Sequence, residues 1–365
     1  MSADLSLAEG YPRLFQVVSF EDWWNGVRTT SSRRLPLVDV RSADSHTARR
    51  IALHNGCIPS SSDDNAKTVH GSCTTGLNAS VVVHLPFETL LTGERSCELP
   101  PRHVEFAVLT DDRDVPRDKL EAFFGATVSK ATQQSRKPWR VVQLLVTNEE
   151  LWLCAGKHGV FEEGTQQQQQ HGTAEIRKGS FVPFPRLWEP DPLVKNMLLP
   201  LVKESLQHTS SLEIWDLGSG AGRDVCFLAE ELKRFLSLPL TTTATTAGID
   251  SFESIKIVGV DNHKASAKRC IPFWKHRHVG DITEALFLNL NKIDLVRNEI
   301  RNRSCGSRSN VACYYAVRFW NRKLINFLIN EEASQEGTLL AMSHFCKPYE
   351  GATWNFDHPK VCQKL

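Results

Sequence analysis

Residues 212–236 read LEIWDLGSGAGRDVCFLAEELKRFL: a short apolar strand, a glycine turn and an amphipathic helix. Val225, Leu228, Ala229, Leu232 and Phe235 recur at helical spacing, Asp224 opens the first turn, and Lys233 and Arg234 close the last. The turn therefore lies at the carboxyl end of a strand and the amino end of a helix. Gly218, Gly220 and Gly222 remove side chains there, so a ligand can approach the backbone and meet helix amides. A nucleotide-type pocket is expected.

Two details narrow the ligand. A dinucleotide fingerprint requires glycine or alanine where this chain has Arg223, so the pattern is GxGxG and not GxGxxG. Asp216, two residues before the first glycine, is a fixed carboxylate that repels a pyrophosphate and attracts an ammonium or sulfonium group. NAD and FAD lose ground to a ligand that carries positive charge.

The phrase DLGSGAGRD resembles motif I of the class I S-adenosylmethionine-dependent methyltransferases, closest to the DLGxGxGR variant of the tellurite-resistance and thiopurine-like branch. An ordinary turn before a core helix is the alternative. The resemblance implies a Rossmann-like, doubly wound α/β domain with S-adenosyl-L-methionine held by Asp216, Gly218, Ser219, Gly220 and Gly222. After a polar stretch at 237–254, the strand IKIVGV ends in Asp261, and VGVDNHKASAKRC resembles the family's second motif. Asp261 is then the ribose ligand, or else the cap of the following helix. In HVGDI (278–282), expected as the third strand end, Asp281 either accepts from the adenine amino group or caps a helix.

A fourth strand is expected at 311–319 and a fifth at 337–345, with VRFWNRKL similar to the segment after the fourth strand in that branch. Arg318, Asn321, Arg322 and His344 then lie where open parallel sheets present groups to ligands. Arg318, Arg322 and His344 are the candidate catalytic residues; the alternatives are surface charges for the arginines and a structural role for the histidine. Ahead of motif I, a helix from Pro192 with Leu193, Met197, Leu198 and Leu201 on one stripe is expected to cover the cleft, with Trp188 and Glu189 as lid residues or simple packing. The family's sheet has seven strands in the order 3-2-1-4-5-7-6. Only twenty residues follow Phe345, so a carboxyl-terminally short domain is expected, truncated after its fifth strand, with an open edge and weak or absent methyl transfer.

The amino-terminal part carries a second resemblance. LPLVDVRSADSH, VVVHLPFETL and LPPRHVEFAVL are similar to a rhodanese (sulfurtransferase) domain, with Asp39, Val40 and Arg41 matching its DVR motif and His84, Leu85 and Pro86 the segment behind it. Residues 60–80 read as a loop insertion. Strands are expected at 35–40, 104–110 and 139–146, a helix capped by Ser19, and another around 120–124. An active sulfurtransferase places a cysteine after the second of these strands; this chain has Thr110, Asp111, Asp112 and Arg113. The domain is expected to be catalytically inactive, kept for packing or for a protein partner, with Cys97 or Cys154 the residual candidates for a displaced nucleophile. Residues 15–160 form this domain, 161–179, with five consecutive glutamines, a linker, and 180–365 the methyltransferase-like domain.

The remaining composition sets limits. With 365 residues and a net charge of +1, the chain has room for two cores and no electrostatic reason to bind nucleic acid or an anionic membrane. Arg297, Arg301, Arg303 and Arg308 read as a solvated loop. Ten scattered cysteines without a CxxC suit reduced thiols and argue against a zinc site, and with no signal-peptide core or membrane-length apolar run a cytoplasmic location is expected. The function expected is methyl transfer from S-adenosylmethionine to an unidentified nucleophile, a small molecule being one candidate. The alternatives are an inactive binding or regulatory protein and a sulfurtransferase with a displaced cysteine.

Overall fold

The computed structural model describes residues 15–26, 35–51, 81–125, 137–163, 181, 183–206, 208–209, 211–237, 254–306, 311–332 and 338–343. They form two units, divided after Glu175 except that Phe184–Glu189 belongs to the first.

The first unit runs β1 (Gln16–Val17), α1 (Phe20–Trp24), β2 (Leu37–Asp39), α2 (Ala43–Ala48), β3 (Arg49–Ile51), β4 (Val82–His84), α3 (Phe87–Leu91), β5 (Glu105–Thr110), α4 (Arg117–Phe124), β6 (Arg140–Val146), α5 (Glu149–Lys157) and β7 (Phe161–Glu163). Five strands make a parallel sheet in the order β1-β6-β5-β2-β4. Its strands are apolar on both sides, which a parallel sheet requires. Val38, Val108 and Leu144 pack into one core with Phe106 and Phe124; Leu37, Ala107, Leu109 and Leu145 pack into another with Trp23, Trp24 and Trp152. Ser19 caps α1 by accepting from Asp22 N at 3.1 Å, and Asn148 caps α5 by accepting from Leu151 N at 2.7 Å. Residues 161–163, read above as the start of the linker, are instead β7, antiparallel to β3. Leu187 joins the first core, and Trp188 and Glu189, read above as lid residues or packing, group with this unit.

The second unit begins with a π-helical segment, Leu193–Leu198, continued by α6 (Leu199–Ser205). Then follow β8 (Ser211–Leu217), α7 (Arg223–Ser237), β9 (Ser254–Asp261), α8 (Lys264–His276), β10 (Thr283–Phe287), α9 (Ile293–Gly306), β11 (Val311–Val317), α10 (Arg322–Phe327) and β12 (Leu339–Ser343). The strands are all parallel in the order β10-β9-β8-β11-β12, which in chain order is 3-2-1-4-5. Trp215, Leu217, Val258 and Val260 pack against Val296 and Ile300 of α9 and Leu324 and Phe327 of α10. Helices α7 and α8 pack against the strands β9 and β10 and are tied to each other by a buried ion pair, Arg277 Nε to Glu230 Oε1 at 2.7 Å.

Two expectations change here. The third strand is Thr283–Phe287, not the segment that ends at Ile282. The arginine-rich run is helical: Arg297, Arg301 and Arg303 lie on α9, and Arg303 reaches Glu213, Glu284 and Glu299 with its guanidinium over the Trp215 ring. Arg308 lies outside the described residues, as do His344 and everything after it. Among the described residues, no helix is long and apolar enough to cross a membrane.

Candidate functional site

In the order β10-β9-β8-β11-β12, the connections from β8 and β11 run to opposite sides, so a crevice opens between their carboxyl ends. The glycine turn 218–222 sits there. All three glycines have positive φ: +81° at Gly218, +54° at Gly220 and +66° at Gly222.

Their surroundings differ, and the difference shapes the site. A Cβ on Gly218 would come within 2.8 Å of the Phe319 side chain, and one on Gly222 within 2.7 Å of Cys270 Sγ and of the Trp274 ring. At Gly220 a Cβ would meet nothing nearer than the Gly218 carbonyl oxygen at 3.9 Å. Gly218 and Gly222 are thus packing glycines, and Gly220 faces open space.

The turn is braced from behind by α8. Trp274 Nε1 donates to Gly222 O at 2.9 Å, and Cys270 Sγ lies 3.6 Å from Gly220 O. Gly259 of β9 makes room for this brace: a Cβ there would stand 2.8 Å from the Trp274 ring. Ala267, Cys270 and Trp274 recur at helical spacing, which marks a buried face of α8 but not what that face covers.

The backbone amides of the turn are engaged within the fold. Gly218 N and Ser219 N both donate to Val260 O, at 2.8 and 3.0 Å; Gly222 N donates to Ser219 O at 2.8 Å. Gly220 N donates to Asp261 Oδ2 at 2.8 Å, while Asp261 Oδ1 accepts from His263 N at 2.6 Å. The amides of Gly218, Ser219, Gly220 and Gly222 are thus occupied, that of Gly220 by a carboxylate. Each oxygen of Asp261 keeps a lone pair for a further donor.

Carboxylates dominate the rest. Asp216 is buried at the end of β8. Burial first, then the charges of Asp224 and Asp261, push its carboxyl well above the usual range, against an opposing contribution from the Tyr315 hydroxyl. Asp224, in the first turn of α7, is also raised, by burial before the charge of Asp191; its Oδ1 accepts from Asp191 N at 2.9 Å. Arg318 and Arg223 act favourably on Asp224.

Of the residues singled out in the sequence, the fold brings Asp216, Gly218, Ser219, Gly220, Gly222 and Asp261 together. Arg318 stands at the carboxyl end of β11, exposed and at φ +58°, an uncommon conformation for a residue with a side chain. Asn321 caps α10 and its amide donates to Leu290 O at 3.1 Å and Asn291 Oδ1 at 2.9 Å. Arg322 is exposed at the start of α10. Asp281 does not join them. It precedes β10, at the amino ends of these strands and away from the crevice, and it pairs on the surface with Lys233 at 2.6 Å. His344 lies outside the described residues.

The first unit has a cleft of about 460 Å³ lined in part by Arg41, Arg49, Asp111, Arg113, Thr147 and Trp152. Arg41 is buried and fully engaged: Nε and Nη2 bond Asp39 at 2.9 and 2.7 Å, and Nη2 also bonds Arg49 O at 2.8 Å. After β5, Arg113 N donates to Asp111 Oδ1 at 2.9 Å, Asp114 N and Val115 N donate to Asp111 O, and Thr147 Oγ1 donates to Asp111 Oδ2 at 2.7 Å. Cys97 is buried, Cys154 packs from α5 against the tryptophan-rich core, and neither lines the cleft. No family model matches the chain, and no curated protein matches it significantly.

Proposed function

We propose that the second unit binds S-adenosyl-L-methionine and transfers its methyl group to a nucleophile. One observation carries this reading: at the switch point of a 3-2-1-4-5 sheet, a glycine turn opens at Gly220 beside buried carboxylates, with the amides of Gly218, Ser219, Gly220 and Gly222 already engaged. A phosphate ligand needs free amides and no fixed negative charge; a ligand bearing ammonium and sulfonium groups suits carboxylates. The strand order agrees with the first five positions of the methyltransferase order 3-2-1-4-5-7-6.

The bound donor would supply a methyl group on a positively charged sulfur. The chain's part is to hold the reactants in line and exclude water. Asp261 would take the ribose hydroxyls on its remaining lone pairs, Gly220 would let the ligand lie against the backbone, and Asp216 would face its positive charge. Arg318 and Arg322 stand at the crevice mouth as candidates for orienting the acceptor. A general base is required only for an acceptor that arrives protonated and weakly acidic.

Titration calorimetry with S-adenosylmethionine tests the reading. Asp261→Ala is expected to weaken binding by about 1.5–3 kcal/mol, the range for a hydrogen bond to a charged group. Because Asp261 also anchors Gly220 and His263, Asp261→Asn, which keeps an acceptor, serves as the milder variant. Unchanged affinity in both removes the assignment.

For the first unit we propose a rhodanese-like module without sulfurtransferase activity, kept for packing or for a protein partner. The support is the turn after β5, where Asp111 draws the local amides onto itself and, among the described residues, no cysteine lines the cleft. The full chain supplied with thiosulfate and cyanide is expected to release no thiocyanate.

A further inference from the structure

The parallel pairing of β8 and β11 sets Asp216 directly beside Tyr315. Strand alternation turns both away from the core that Trp215 and Tyr314 share. Tyr315 is fully buried, and its hydroxyl makes no hydrogen bond of normal geometry although it lies near the Asp216 carboxyl. A buried hydroxyl without a partner is costly, and so is a buried carboxylate without a cation.

The charged and titratable groups facing this pair are Asp224 from α7, Asp261 from the end of β9 and the Cys313 thiol on β11. Arg318 and Arg223 act favourably on Asp224, and the charge of Asp191 acts against it. Among the described residues, the groups acting on Asp216 are thus carboxylates and the Tyr315 hydroxyl.

Building on the reading of this site as one for S-adenosylmethionine, we infer that Tyr315 is a further binding residue. Its hydroxyl and the Asp216 carboxylate together take a cationic group of the ligand and release a proton in exchange. In the ligand-free site the buried Asp216 carboxyl, with Asp224 and Asp261 near it, is pushed toward its protonated form. When the ligand arrives, that proton leaves to solvent and the ligand's N–H or sulfonium charge takes its place, with the Tyr315 oxygen as a neutral acceptor. The site thereby distinguishes cations from neutral molecules of the same shape, and its affinity depends on pH below the range in which the ligand's own amino group titrates.

The sign follows from linkage. The empty site binds more protons than the filled one, so affinity rises with pH until Asp216 is ionised in the empty site, by up to tenfold per pH unit for one proton exchanged. The experiment is calorimetry of the full chain with S-adenosylmethionine between about pH 5 and pH 8, in two buffers of different ionisation enthalpy, which counts protons released. The expected result is net release approaching one proton per ligand at the acid end. Asp216→Asn is expected to abolish both the release and the pH slope. Tyr315→Phe is expected to weaken binding about two- to tenfold, the loss of one neutral hydrogen bond, and to move the profile to higher pH. Binding with no proton release and no slope overturns the inference and leaves the ligand assignment standing. Absence of binding at every pH overturns both. If Asp216→Asn does not fold, the two-buffer measurement on the natural chain still decides.

Discussion

Each unit keeps a buried acid near the carboxyl end of a parallel strand, and the two acids are treated in opposite ways. Asp39 of β2 lies in a bidentate pair with Arg41, whose remaining donors reach the carbonyls of Ser45 and Arg49. Asp216 of β8 has other acids and an unsatisfied tyrosine hydroxyl for company. The first cluster is electrically complete within its own fold. Among the described residues, the second has only acids and a tyrosine hydroxyl around its carboxyl, and a bound cation would complete it. The lesson is that burying a charge does not mark a binding site; burying one without its counter-charge does.

The largest effect should come from opening the closed cluster. Asp39→Ala leaves the Arg41 guanidinium buried and unpaired, and chemical denaturation is expected to show a loss of about 3–5 kcal/mol. Asp216→Asn should act with the opposite sign, raising the melting temperature of the ligand-free chain at neutral pH. A lower melting temperature in that variant would mean that the second cluster is compensated after all and would break the contrast.

Acid should separate the units more gently. His46 and His84 stack in the first unit with ring centroids 3.8 Å apart. Burial, then the charge of His84, pushes His46 down to about 4, and burial also lowers His84. A histidine lowered on folding stabilises the fold fully above its ordinary value of 6.5 and loses that contribution as pH falls toward 4. A carboxyl raised on folding tilts the other way: the second unit should lose stability as pH rises from the ordinary 3.8 through the raised value of Asp216. Hydrogen exchange followed on β2 and β8, corrected for intrinsic rates, should therefore show opposite trends, and His46→Phe should flatten the first. The smallest effect concerns a surface acid: Asp281→Ala removes a largely exposed ion pair and is expected to cost less than about 1 kcal/mol, with no change in ligand affinity.

Much of the second unit is written locally. Strand, glycine turn and helix at 211–237 follow from apolar spacing and glycine chemistry within one short window, and the acid that ends β9 follows from its place after an apolar run. Asp281 was misleading because β10 starts after it: TEALF is half-buried and carries a glutamate that pairs with Lys256 and Arg303, so it lacks the apolar run that marked its neighbours. Tyr315 and Trp274 were illegible for another reason. Their roles depend on which strand pairs with which and in what register, and nothing within a few residues of either encodes that. The run at 297–303 looked like solvated loop because its guanidiniums are balanced by glutamates distant in sequence, such as Glu213, Glu284 and Glu331.

The pairing of β3 with β7 bears on the order in which the chain can fold as it is made. Arg49 and Arg50 stand opposite Glu163 and Glu162, and β1 pairs with β6. The first unit therefore needs residues near both of its ends before its outer strands have partners. A growing chain must leave β1 and β3 exposed until more than a hundred further residues have been added, whereas β8 finds β9 as its next strand in sequence. Translation thus runs ahead of the earlier unit's completion, and the interval before Glu163 emerges is when that unit most needs protection from aggregation.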